Sequence, residues 1–174
     1  MSSDRLRQVE KNLTRLRQQL AGKEDTLTTI APEEKVRIKH QIADLKADMQ
    51  PFETEYWQIL VEHSATVAIA EPAPEVVVAE IVEQVGQLQT SQQYSYEVLE
   101  WLQRIHAEVS KPGVPASAKL KGALSLFPPF VNLSYEAELA PENFFLRTHL
   151  PTFTKWYKAL AKKLSVPKQV EGNG

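Results

Sequence analysis

Lys119 to Leu139 read "KLKGALSLFPPFVNLSYEAEL", and the fold class turns on the alternation of apolar and polar residues on both sides of its Pro-Pro pair. Taken as extended, Leu120, Leu124 and Leu126 share one face with Gly122, and Val131, Leu133, Tyr135, Ala137 and Leu139 share one face of the segment that follows. Alternation of this kind is the period of a strand. If the chain folds back at Pro128 and Pro129, Leu124 meets Leu133 and Leu126 meets Val131, while Lys121 meets Glu136 and Lys119 meets Glu138. One register then satisfies an apolar and a charged face together. The reading predicts a β-hairpin over 119–139. Its turn is either wider than two residues or built on a cis Pro128–Pro129 bond, since proline does not reach the positive φ of tight hairpin turns.

A two-stranded ribbon alone is marginal in water and needs a cover. The nearest one is a helix over 151–164, which Pro151 can open, with Phe153, Trp156, Tyr157, Leu160 and Leu164 on one side. Lys155, Lys158, Lys162 and Lys163 fall away from that side, and 166–174 read as a disordered tail.

Upstream the period changes. Leu6, Val9, Leu13, Leu16 and Leu20 alternate steps of three and four, the seam of a coiled coil, and Leu27 resumes it beyond Gly22. The helix should stop at "TTIAPEEK", where Pro32 suits the first turn of a second helix and Glu33 and Glu34 suit its positive end. That second helix carries Ile38, Ile42, Leu45, Met49, Phe52, Tyr56, Ile59 and His63 in one phase, with a kink or restart expected at Pro51. Residues 1–64 are therefore an antiparallel helical hairpin. Its aromatic end, Phe52, Tyr56 and Trp57, is too apolar to stand in water, so another helix or another chain must cover it.

Residues 65–75, "ATVAIAEPAPE", read as a linker. A small α+β domain over 76–165 follows. Its first helix buries Val77, Val78, Ile81, Val85 and Leu88; Thr90 with Gln93 offers a capping box, and the next helix points Tyr96, Leu99, Leu102, Ile105 and Val109 inward. The fold class is thus mainly α: a helical hairpin plus an α+β unit with one β-hairpin packed on helices.

Composition narrows the chemistry. There is no cysteine, so disulfide and thiolate chemistry are excluded, and no secretory leader is read at the start, which makes the cytoplasm the expected compartment. The four histidines, at 40, 63, 106 and 149, never stand three or four apart, and no glycine-rich phosphate loop or nucleophile elbow occurs. The carboxylate pairs Glu53 with Glu55 and Glu97 with Glu100 read as solvated surface. No catalytic residue, metal or cofactor is expected, although an enzyme whose site forms only between subunits stays open. Charge is unevenly spread: residues 66–110 hold one Arg against seven Glu, a net of −6, whereas 111–174 hold nine basic and four acidic residues, a net of +5.

"PEEKVRIKHQIADLKA" followed by "FETEYWQIL" resembles the helical-hairpin effector-associated domains of bacteria, adaptor units attached to caspase-like proteases, TIR proteins and NTPase regulators in conflict and programmed-death systems. The stretch from "LKGALSLFPPFVNLSYEAEL" through "ENFFLRTHLPTF" is similar to segments of regulatory proteins of that kind. The resemblance implies a non-catalytic adaptor that joins an effector to a sensor by like-with-like contacts, with Phe52, Tyr56 and Trp57 meeting a matching hairpin or a second copy. The C-terminal unit would add a second docking surface, with Trp156, Lys155 and Lys158 as its contact residues. The alternative is a membrane-surface regulator acting through the basic, aromatic C-terminal helix. Nucleic acid is not an expected partner.

Overall fold

The heptad seam at the N-terminus becomes helix α1 (Ser2–Leu27), which pairs with α2 (Pro32–His63) across a short turn. A computed structural model of the chain describes residues 2–91, 93–136 and 142–166, with side chains at all of these except 2, 3 and 142–144. Leu6, Val9, Leu13, Leu16 and Leu20 are all buried, and Ile38, Leu45 and Met49 answer them from α2. The pairing is antiparallel: Arg5 forms an ion pair with Glu55 at one end, and Lys23 Nζ donates to Gln41 Oε1 at 2.6 Å nearer the other. Pro32 occupies the first turn of α2 with Glu33 and Glu34 beside it. Pro51 faces solvent inside α2 and the helix runs through it. Past that point α2 buries a second row, Glu53, Trp57 and Leu60, because further helices pack there.

A single 3-10 turn (Ser64–Thr66) leads into a segment in which Ile69 is buried, and then to α3 (Pro74–Gln89) and α4 (Tyr96–Val109). The five apolar residues expected inward on α3 are buried. The capping box at Thr90 is not formed. Thr90 closes the end of α3, and the N-cap of α4 is Ser95, whose Oγ accepts from the Val98 N–H at 3.4 Å. The inward face of α4 is also rotated: Val98, Trp101, Leu102, Ile105 and Val109 are buried, whereas Tyr96 is 73% exposed. Gly113, at φ 73°, lets the chain turn between α4 and the next helix.

The β-hairpin expected over 119–139 is absent, and with it the α+β unit. Residues 119–136 belong to two short helices, α5 (Ala116–Leu124) and α6 (Phe127–Glu136), and no strand occurs among the described residues; Ala137, Glu138 and Leu139 lie outside them. Buried positions in this stretch are Leu120, Ala123, Leu124, Phe127, Phe130, Val131 and Ser134, spaced by threes and fours as on one helical face. Pro128 and Pro129 sit in the first turn of α6, where their missing N–H groups would have had no helical partner anyway. A proline pair that reads as a strand turn is therefore equally a helix start. Among the described residues the cis proline bond is Glu71–Pro72.

Two helices end the described chain, α7 (Glu142–His149) and α8 (Pro151–Ser165). The first was not foreseen; the second matches the helix expected over 151–164, while the tail from 167 onward lies outside the described residues. Helix α6 packs on α2 and α4, and α8 packs on α1, α2, α3 and α7. Buried residues from α1 through α8 join in one apolar cluster. Its centre is aromatic: Phe127 lies 4.7 Å from Trp57, 5.3 Å from Trp101 and 4.9 Å from Phe153, ring centre to ring centre.

Candidate functional site

The aromatic end of the hairpin does receive a cover, and its own chain supplies it. Tyr157 of α8 lies 4.7 Å from Trp57 and 6.4 Å from Tyr56, which itself stands edge-on to Trp57 at 5.4 Å. Trp57 is 3% exposed; Phe52 and Tyr56 are half-buried. Trp156 is also buried, against Phe153 at 5.8 Å, while Lys155 and Lys158 face solvent. Of the six contact residues expected from the sequence, Tyr56, Trp57 and Lys158 come together in one groove. Lys155 lies outside that groove's lining. Phe153, Trp156, Tyr157 and Leu160 turn into the core, so the outward side of α8 offers lysine charge rather than apolar area.

This groove, of about 430 Å³, lies between α1, α2 and α8 with Leu146 of α7 at its side. Leu13 and Ala161, each 2% exposed, form part of its floor. Two carboxylates and three cations share it: Glu10 and Glu53, against Arg17, Lys158 and Lys162. Glu53 is 4% exposed and accepts a hydrogen bond from the Tyr135 hydroxyl of α6, contrary to the solvated surface expected for it. It makes no pair with Glu55, whose carboxyl is held below the ordinary range chiefly by its hydrogen bond from Arg5. Burial pushes the Glu10 carboxyl above its ordinary value of 4.5. Among the described residues, none of the three cations forms an ion pair.

Two polar contacts of long sequence separation hold the walls of the site in place. The Glu80 carboxylate of α3 accepts from the backbone N–H groups of Thr152 and Phe153 at 2.8 and 2.9 Å. It thereby caps α8, which begins behind Leu150 with no side chain of its own to do so. The sequence carried one signal for this: a helix opening on Leu-Pro leaves N–H groups that something distant must satisfy. At the other end, Lys163 Nζ donates to the Ala68 carbonyl at 3.0 Å. No comparable signal marks Glu10, Arg17 or Glu53, because their meeting depends on how α8 lies across the hairpin.

A second cluster joins α7 to the segment before α4. Tyr94 Oη lies 3.4 Å from His149 Nε2, and Phe145 packs on the His149 ring at 4.8 Å. Burial lowers the His149 pKa and raises that of Tyr94. Among the described residues no group of three His, Asp or Glu is placed to hold a metal, and no helix is long and apolar enough to cross a membrane. Comparison with protein-family models, curated proteins and solved structures gives no match.

Proposed function

We propose that this chain is a non-catalytic adaptor, which associates through the distal half of its α1–α2 hairpin with a matching hairpin on a protein partner or a second copy and so couples an effector to a sensor. The observation that supports this reading is the incomplete cover of that half. From Ala21 to Asp44, Ile38 is the sole fully buried residue; Leu27, Ile30 and Ile42 are half-buried and Val36 is 63% exposed. A two-helix seam of this kind stays partly wet, and laying another pair of helices on it completes a four-helix arrangement with the usual knobs-into-holes packing. The aromatic end is already covered by α8, which moves the proposed contact from the base of the hairpin to its distal arm. The effector-and-sensor role rests on the sequence resemblance.

Light scattering and partner recovery test the reading on the full chain, with Val36→Glu and Ile42→Glu made together. A smaller assembly, or loss of the partner, with unchanged helical content supports it. Unchanged mass and unchanged recovery would sink it.

A further inference from the structure

Opposite charges that share one concavity usually pair with one another. In the groove between α1, α2 and α8 they do not. Glu10 and Arg17 stand two helical turns apart on the same side of α1, about 10 Å along the axis. Leu13 lies between them on α1 with Thr14 beside it, and Leu13 and Ala161 give the groove the apolar part of its floor. Arg17, Lys158 and Lys162 are without a carboxylate partner among the described residues, although two carboxylates line the same groove. Glu10 is likewise unpaired and half-buried, and it has lost water without gaining a cation, as the upward push on its carboxyl records. Each sign of charge therefore lacks what a ligand bearing the other sign would bring.

We propose that this groove binds a small zwitterion whose ammonium group meets Glu10 and whose anionic group meets Arg17, with an apolar body lying over Leu13 and Ala161. The volume of about 430 Å³ is within the range of small-molecule sites. A ligand with adjacent charges, such as a free α-amino acid, is too short to reach both ends. One whose charges stand about 10 Å apart reaches both, since that is the rise of seven helical residues. The inference is independent of the adaptor reading, which concerns the far end of the hairpin.

Isothermal titration calorimetry on the full chain with ω-aminooctanoate, octanoate and octylamine separates the two charge requirements. The zwitterion is expected to bind saturably, one per chain, and roughly tenfold tighter than either singly charged probe, the scale of one charged hydrogen bond. Glu10→Gln should reduce the zwitterion to the affinity of octanoate, and Arg17→Gln to that of octylamine. Lys155→Gln, on the same helix as the groove lysines but outside the lining, should leave it unchanged. Thermal melts confirm that each variant is folded. The proposal is overturned by an absence of saturable heat at millimolar zwitterion, by equal binding of octanoate, by an effect of Lys155→Gln as large as that of Arg17→Gln, or by folded Glu10→Gln and Arg17→Gln proteins that bind as the parent does.

Discussion

The two ends of the α1–α2 hairpin are built on the same seam and live in different surroundings. At the base, Trp57 is buried beneath Phe127 of α6 and Tyr157 of α8, and Leu60 is fully buried. Along the arm, between Ala21 and Asp44, only Ile38 is fully buried, while Leu27, Ile30 and Ile42 stay half in water and Val36 is exposed. The contrast separates two jobs that one coiled coil would otherwise share. Stability concentrates where a third and fourth helix close the seam, because burial scales with area removed from water. Availability concentrates where they do not.

Truncating one residue at each end gives the largest test of that division. Phe127→Ala removes a ring that is 1% exposed and packs on four other aromatic side chains, and it should cost about 3–5 kcal/mol. Ile42→Ala, half-buried on the arm, should cost about 1–2 kcal/mol. Urea denaturation of the two variants checks the order. Equal losses would mean that the arm carries as much of the fold as the base does, and the proposed contact surface would then have to be sought elsewhere.

The same contrast explains what the sequence disclosed. Where a helix is long, its apolar period repeats often enough to be clean, and the spacing of Leu6 through Leu20 places them on a seam even though α8 packs on α1 beside α2. Where a helix is short and wrapped on several sides, period becomes ambiguous. In "KLKGALSLFPPFVNLSYE" the leucines at 120, 124 and 126 fit alternation, while Ala123, Phe127 and Phe130, the residues that identify a helical face, fall outside that pattern. On α4 the choice of Tyr96 over Val98 rotated the inward face by the same kind of ambiguity. Glu53 and Glu80 were out of reach for another reason. Their partners, Tyr135 and the start of α8, lie 82 and 72 residues away, and local spacing holds no record of such a meeting.

Glu80 supplies a test of intermediate size. Its carboxylate is the cap of α8, the helix that covers the hairpin's base, so Glu80→Ala leaves two N–H groups at a packed helix start without their acceptor. Loss of a cap costs about 1–2 kcal/mol. Glu80→Gln keeps one acceptor oxygen and should lose less. Hydrogen exchange should place the loss mainly in the first turn of α8, at Thr152 and Phe153. If the arm between Ala21 and Asp44 opened to the same extent, base and arm would form one cooperative unit.

The smallest effect is expected at Gly122, where α5 passes α4 inside the stretch on which the fold turns. A methyl group added there would run into the carboxylate of Glu108, which also forms an ion pair with Lys111 at 3.2 Å. Two terms oppose. Replacing a helical glycine by alanine favours the helix by at most about 1 kcal/mol, less in a last turn such as this one, whereas displacing a partly exposed ion pair costs about 0–1 kcal/mol. The obstacle is the far end of a flexible side chain that is itself 31% exposed, so it can swing into solvent while α4 stays where it is. Gly122→Ala should therefore be neutral or stabilising by a few tenths of a kcal/mol, read as an unchanged or slightly higher urea midpoint. A loss above about 1 kcal/mol, larger than the ion pair can account for, would show that α5 is seated against α4 by contacts that do not give way. The rim of the base would then be as rigid as its aromatic centre.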